Sequence, residues 1–318
     1  MSINSDSARR GVEQLPRKIW HPGWLLGQLS EHRQWAYFLI VPSILFIFAI
    51  IIYPTANGIL LSFREMRLTR PDLGTDYIGL RHYADMLSDP IFWVALFNTV
   101  KWAVMAVLLE FLLGFAAALT LNRDLPGMRI IAVLILLPWF LPNVVAGNIW
   151  ALMLDPRLGV INEVLVSLGI LSEGVAWFAD PDTALLAAVL VEAWHGYPFF
   201  ALLFLAALKG IPKDLYKAAA VDGAGAMQSF WQITLPAMKM VIAAVIILRV
   251  IGLVNSPELL LILTGGGPGN STQVLSLYAF QTAYLRFDFG YAGALSVVMF
   301  FILMLFCVVY LRLARITR

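Results

Sequence analysis

The sequence predicts an all-α polytopic membrane protein with six transmembrane helices. Three observations carry this. Of the residues, 60% are apolar and only 13% are charged, and the mean hydropathy of +0.81 lies far above that of soluble globular chains. Apolar stretches recur along the chain, each long enough to cross a hydrocarbon layer that needs about 20 helical residues. Lys and Arg are distributed unequally between the loops on the two sides. A chain of this composition is not organised around a water-soluble core.

The spans fall at residues 35–63, 92–121, 128–154, 183–208, 238–264 and 290–311. The segment 1–34 is polar and basic, without the short apolar core and small-residue cut site of a signal peptide, and is expected to stay on the mature chain. Trp20, Trp24 and Trp35 suit an interfacial approach to the first span. Six crossings put both termini on one side. That side carries Arg9, Arg10, Arg17, Lys18 and Arg33 in the tail, Arg123 and Arg129 between spans 2 and 3, and Lys209, Lys213, Lys217 and Lys239 between spans 4 and 5. Arg312, Arg315 and Arg318 close the chain on the same side. The opposite side carries only Arg64, Arg67, Arg70, Arg81, Arg157 and Arg286. Positive residues concentrate in cytoplasmic loops, so both termini are expected to be cytoplasmic. The longer external loops, 64–91 and 155–182, either present a docking surface or simply cap helix ends. Cys307 is the single cysteine and lies in the last span, so the chain builds neither a disulfide framework nor a cysteine metal site.

Ionisable residues at membrane depth are costly and each needs a reason. Lys101 and Glu110 read as isolated residues on span 2, held by packing or snorkelling, with a role in transport as the alternative. Span 4 places Glu192, His195, Gly196 and Phe199 on one face, span 5 places Arg249, Gly252, Leu253 and Ser256, and span 3 places Trp139, Asn143, Ala146 and Trp150. Pro138, Pro142 and Pro198 interrupt or kink these helices and free backbone groups that need polar neighbours or water. Converging, such faces would offer aromatic rings and hydrogen-bonding groups of the kind a sugar requires. The structural alternative is that Glu192 and Arg249 form a buried ion pair that fixes helix register. Arg249 also suits an anionic solute, which a guanidinium binds with two parallel bonds.

Between spans 4 and 5 the pattern is two short helices with a bend. Pro212 suits a helix start. Leu215, Ala218, Ala219 and Asp222 then share one face, Gly223 and Gly225 break the helix, and Phe230, Trp231 and Ile233 form a second amphipathic turn before Pro236 enters span 5. Small alanines allow close approach of another chain, as in a helix that docks into a groove; an interfacial helix would show the same periodicity.

The run Leu-Tyr-Lys-Ala-Ala-Ala-Val-Asp-Gly-Ala at 215–224, with Phe-Trp-Gln-Ile-Thr-Leu-Pro at 230–236, resembles the EAA loop of binding-protein-dependent ABC importer permeases. Thr-Gly-Gly-Gly-Pro at 264–268 and Gly-Tyr-Ala-Gly-Ala at 290–294 resemble the sugar branch of that family, the maltose and glycerol-phosphate type. The resemblance implies a type I ABC importer permease fold in the bacterial inner membrane, with a cytoplasmic segment at 1–34, a permease domain at 35–318 and a coupling loop at 209–238. It implies partners as well: a second permease, two ATPase subunits that bind ATP and Mg, and a periplasmic substrate-binding protein. Leu215, Lys217, Ala218, Ala219, Asp222 and Gly223 would then contact the ATPase, Asp222 as a cap or acceptor and Gly223 as the bend. Lys217 departs from the pattern, where an acid usually opens the triplet. Transferred by motif, the substrate positions are Trp139, Asn143, Glu192, Gly196, Arg249, Leu253 and Ser256. The chain has no GxxxxGK[ST] run, HExxH or GxSxG, so it supplies neither its own ATP site nor a nucleophile motif. A different class of function, an ion-coupled secondary transporter, would use Glu192, His195 and Glu258 as a relay; the inverted repeats that favour it are not visible in the sequence.

Overall fold

A computed structural model describes residues 33–314 apart from Pro71, Leu73 and Asp124. The tail with Trp20 and Trp24, and the terminal Arg315 and Arg318, lie outside the described residues. The chain divides into two units at 57/58. In the first, α1 (Arg33–Ile47) passes through a π-turn at Phe48–Ile52 into α2 (Tyr53–Leu61), and the boundary falls within α2. Pro54 has no N–H to donate, and the helix widens in the turn before it.

The second unit takes in the last turn of α2, then a loop and α3 (Arg81–Leu87), followed by α4 (Pro90–Leu121). Asp89 starts α4 by accepting the Ile91 N–H, with Pro90 in the first turn, where its missing N–H costs nothing. At 32 residues, α4 runs about 48 Å, more than the hydrocarbon layer needs. Its main neighbour is α8 (Pro181–Lys209). The two approach closely because Gly114 has no side chain: a Cβ there would meet the Tyr197 carbonyl at 2.9 Å and the Phe200 Cβ closer still. Around this contact Phe111, Phe115 and Phe200 each pack edge to face with Phe204, and Phe115 reaches Phe230 at 5.7 Å between centroids.

Span 3 is not one rod. α5 (Met128–Leu136) continues as a 3₁₀ turn to Phe140, and α6 (Asn143–Met153) leaves at 97° to it. Pro142 forces Leu141 into extended backbone, φ −76° and ψ 132°, which no helix continues through. After α7 (Val160–Ser167) and α8 comes the short α9 (Lys213–Val221). α10 (Ala226–Ser229) then runs through a π-turn at Phe230–Thr234 into α11 (Leu235–Asn255) as one membrane-length rod. Span 5 therefore starts earlier and ends sooner than its apolar run suggests. Ser256 before Pro257 is extended, and α12 (Glu258–Leu263) is a separate helix. α13 (Leu275–Tyr284) and α14 (Phe289–Leu313) complete the unit. Five helices have membrane-spanning length among the described residues, and six if the bent pair counts as one span.

Candidate translocation path and coupling loop

The ion cluster at membrane depth involves three helices. Arg249 on α11 donates from Nε to Glu110 Oε2 at 2.6 Å and from Nη2 to Glu110 Oε1 at 2.5 Å, a two-bond fork onto α4. The same Nη2 donates to Glu192 Oε1 on α8. The Glu110 side chain is 0% exposed, that of Glu192 9% and that of Arg249 17%. Glu110 is thus not the isolated residue its sequence context suggests; it is the principal partner of Arg249, with Glu192 second. Gly196 leaves room for the cluster, since a Cβ there would collide with Glu110 Oε1 and Arg249 Nη2.

The other polar residues of these faces are also engaged. His195 donates from Nε2 to the Leu141 carbonyl at 2.9 Å. That carbonyl sits at the span 3 break, where the following N–H groups turn to Pro142 instead, so His195 supplies the donor that the broken helix lost. Because a carbonyl only accepts, Nε2 of His195 carries the proton. Asn143 donates to Glu258 Oε2 at 2.7 Å, joining α6 to α12. No hydrogen bond joins Glu192, His195 and Glu258 to one another among the described residues; each has its own separate partner. Trp139 lies 6.0 Å from Phe199 between ring centroids and remains 40% exposed. Leu253 is buried in the main core, and Ser256 is half-buried at the end of α11.

In the loop between spans 4 and 5, Leu215, Lys217 and Ala218 are exposed on α9 and Ala219 is half-buried. Gly223 ends the helix with φ +79°, a left-handed conformation that glycine adopts without a steric cost. Asp222 stands at the helix C-terminus, where its backbone N–H donates to the Ala218 carbonyl; its side chain makes no hydrogen bond among the described residues. Lys217 pairs with Asp214 at 2.8 Å within the loop. Both groups are solvated, so the pair adds little stability. Tyr216 O–H meets Thr234 Oγ1 at 2.9 Å and ties α9 to the root of α11.

A second polar assembly lies at the other end of α4. Asp89 Oδ2 accepts from Tyr278 at 2.6 Å and Tyr291 at 2.8 Å, linking α4, α13 and α14. Burial, then the Asp89 bond, pushes the Tyr278 phenol up to about 12, so it stays a proton donor. Arg67 pairs with Asp288 and lines the same open cavity of about 820 Å³, together with Arg81, Asp85 and Arg286. The sequence signal for this assembly is faint, since its bonded members are separated by up to 221 positions.

A bundle of membrane-length helices, with a broken span, a buried polar cluster and an exposed loop helix, defines a polytopic transport subunit. Residues 110–317 match the family described as the binding-protein-dependent transport system inner membrane component, and the chain belongs to that family. It is 39% identical over 303 residues to the sulfoquinovosyl glycerol transport system permease protein SmoG of Agrobacterium fabrum, covering 95% of this chain and 96% of the relative. It is 36% identical over 282 residues to the trehalose/maltose transport system permease protein MalF of Thermococcus litoralis, covering 89% and 94%. Its fold matches a chain of a bacterial alginate ABC transporter, crystallised in complex with an alginate pentasaccharide-bound periplasmic protein. The TM-score is 0.77 at 22% identity, over 92% of this chain and 97% of that one.

Proposed function

We propose that this protein is a permease subunit of an ATP-driven importer for a sugar or sugar derivative. The observation that carries the substrate class is near full-length similarity to permeases named for glycoside transport. In this reading the chain forms half of the path beside a second permease. Two ATPase subunits bind ATP and Mg, and a periplasmic binding protein delivers the solute. Both termini face the cytoplasm in the bacterial inner membrane.

The path is lined by Trp139, Asn143, Glu192, Gly196, Arg249, Leu253 and Ser256. Trp139 covers an apolar sugar face, and Asn143 and Ser256 pair with hydroxyls. Arg249 uses Nε and Nη2 for the two carboxylates, which leaves Nη1 to donate to the solute. Two carboxylates face one guanidinium, so the cluster has no positive excess to attract an anion. Attraction of an acidic solute would therefore have to come from groups outside this cluster, and the uptake test compares a neutral solute with an acidic one.

Coupling follows from the connections of α9. Leu215, Lys217, Ala218, Ala219, Asp222 and Gly223 meet the ATPase, and the Tyr216–Thr234 bond passes displacement to the root of α11. From Thr234 to Arg249 is about 22 Å of continuous helix, so the rod delivers that motion to the ion cluster that locks it to α4 and α8. The test is ATP-driven uptake of a radiolabelled neutral disaccharide and of its uronic-acid counterpart by the full complex in proteoliposomes. Asn143→Ala and Ser256→Ala should lower neutral uptake without lowering assembly. Unchanged uptake in both variants would place the path elsewhere.

A further inference from the structure

A cavity of about 1120 Å³ opens where α4 and α8 end, between the 121–130 turn and the corner that leads into α9. Arg123, Arg129, Lys209 and Lys213 line it. No acidic residue lines it among the described residues. Asp124 belongs to the same turn by sequence, and counting it still leaves three positive charges in excess. Leu125 and Ile130 supply apolar wall. Lys209 has a local reason for its charge, since it sits in the last turn of α8. Arg123 directly follows the C-terminus of α4, where a cation is likewise favoured, but helix polarity does not account for Arg129, in the first turn of α5, where a cation is disfavoured.

The depth of the cavity points to its occupant. The apolar runs of α4 and α8 stop at Leu121 and Leu208 and are followed at once by Asn122, Arg123 and Lys209, so the cavity lies at the level where hydrocarbon gives way to headgroups. A cationic pocket with apolar wall at that level complements a phosphodiester carrying acyl chains. We propose that this cavity binds the headgroup of an anionic phospholipid. Tyr216 of α9 also lines it, so the bound headgroup braces the corner from which α9 projects. This inference rests on the reading above that α9 faces the cytoplasm and the ATPase.

The test is native mass spectrometry of the whole complex, extracted from membranes containing phosphatidylglycerol and phosphatidylcholine, beside the variant Arg123→Gln/Arg129→Gln/Lys209→Gln. The wild type should retain phosphatidylglycerol preferentially. A basic residue near an anionic membrane contributes roughly fivefold in binding, so the triple variant should lose at least about tenfold of that enrichment. Arg123→Lys/Arg129→Lys should keep it, which separates charge from folding. Equal retention of both lipids by the wild type would overturn the proposal. So would displacement of the lipid signal by millimolar inorganic phosphate, which would mark a site for soluble anions. A triple variant that sheds the ATPase subunits while keeping its lipid would also overturn it, by assigning the surface to the ATPase. Failure of the wild-type chain to assemble with an ATPase at all would count against the importer reading instead.

Discussion

Replacing Arg249 with Met removes the only cation from a cluster in which Glu110 is fully buried and Glu192 nearly so. Breaking a buried ion pair from one side costs about 3–5 kcal/mol, because the remaining charge is left in a poor solvent. The three residues should not be equal. Glu192 accepts a single bond, and Gln in its place still offers an Oε1 to Nη2, so Glu192→Gln should cost under about 1 kcal/mol. Glu110 accepts the two-bond fork; Gln there keeps one acceptor and turns an NH₂ toward the guanidinium, costing about 2–3 kcal/mol. The double variant Arg249→Met/Glu192→Gln should remain as poor as Arg249→Met, since the Glu110 carboxyl stays fully buried without the two donors it had. Only Arg249→Met/Glu110→Gln/Glu192→Gln should recover assembly. The assay is thermal unfolding of the detergent-purified complex, with the yield of the intact peak on size exclusion. Equal losses for Glu110→Gln and Glu192→Gln, or full recovery in the double variant, would refute this order of partners.

Three other outcomes follow from local geometry. Gly196→Ala should lower complex yield, by about 1–3 kcal/mol of overpacking, because its Cβ enters the space held by Glu110 and Arg249; normal yield would show that the cluster has slack. His195→Phe should destabilise by about 1–3 kcal/mol through the orphaned Leu141 carbonyl, and His195→Gln should restore part of it, whereas equal melting of all three proteins would remove the structural role. Gly223→Pro demands φ near −65° where the chain has +79°. ATPase activity stimulated by loaded binding protein should collapse while basal activity persists, and undiminished stimulation would exclude the loop as the coupling element.

How much of this was legible in the sequence depends on range. Span positions are a matter of length and apolarity, and Gly223 marks the bend because few other residues adopt its φ. Pro138 and Pro142 announced a disturbance in span 3, yet a 97° break rather than a kink depends on His195 being present to take up the freed carbonyl. The end of span 5 was misplaced because Leu259–Leu263 continues the apolar run, and only the backbone restriction before Pro257 stops the helix. Helical faces suggested half of the Arg249 cluster through Glu192. They could not give Glu110, 139 positions away, because periodicity does not say which helices are neighbours. The rule that an intramembrane acid has a partner was nevertheless available, and Glu110 met it.

Transport by this chain should be powered through a partner ATPase. The most direct measurement places it in liposomes in two forms, alone and with its second permease, ATPase dimer and binding protein, and follows solute uptake with either internal-facing ATP or an imposed proton or sodium gradient. Uptake should require the full complex and ATP, and the gradient should drive none. Gradient-driven uptake by the chain alone would contradict the account.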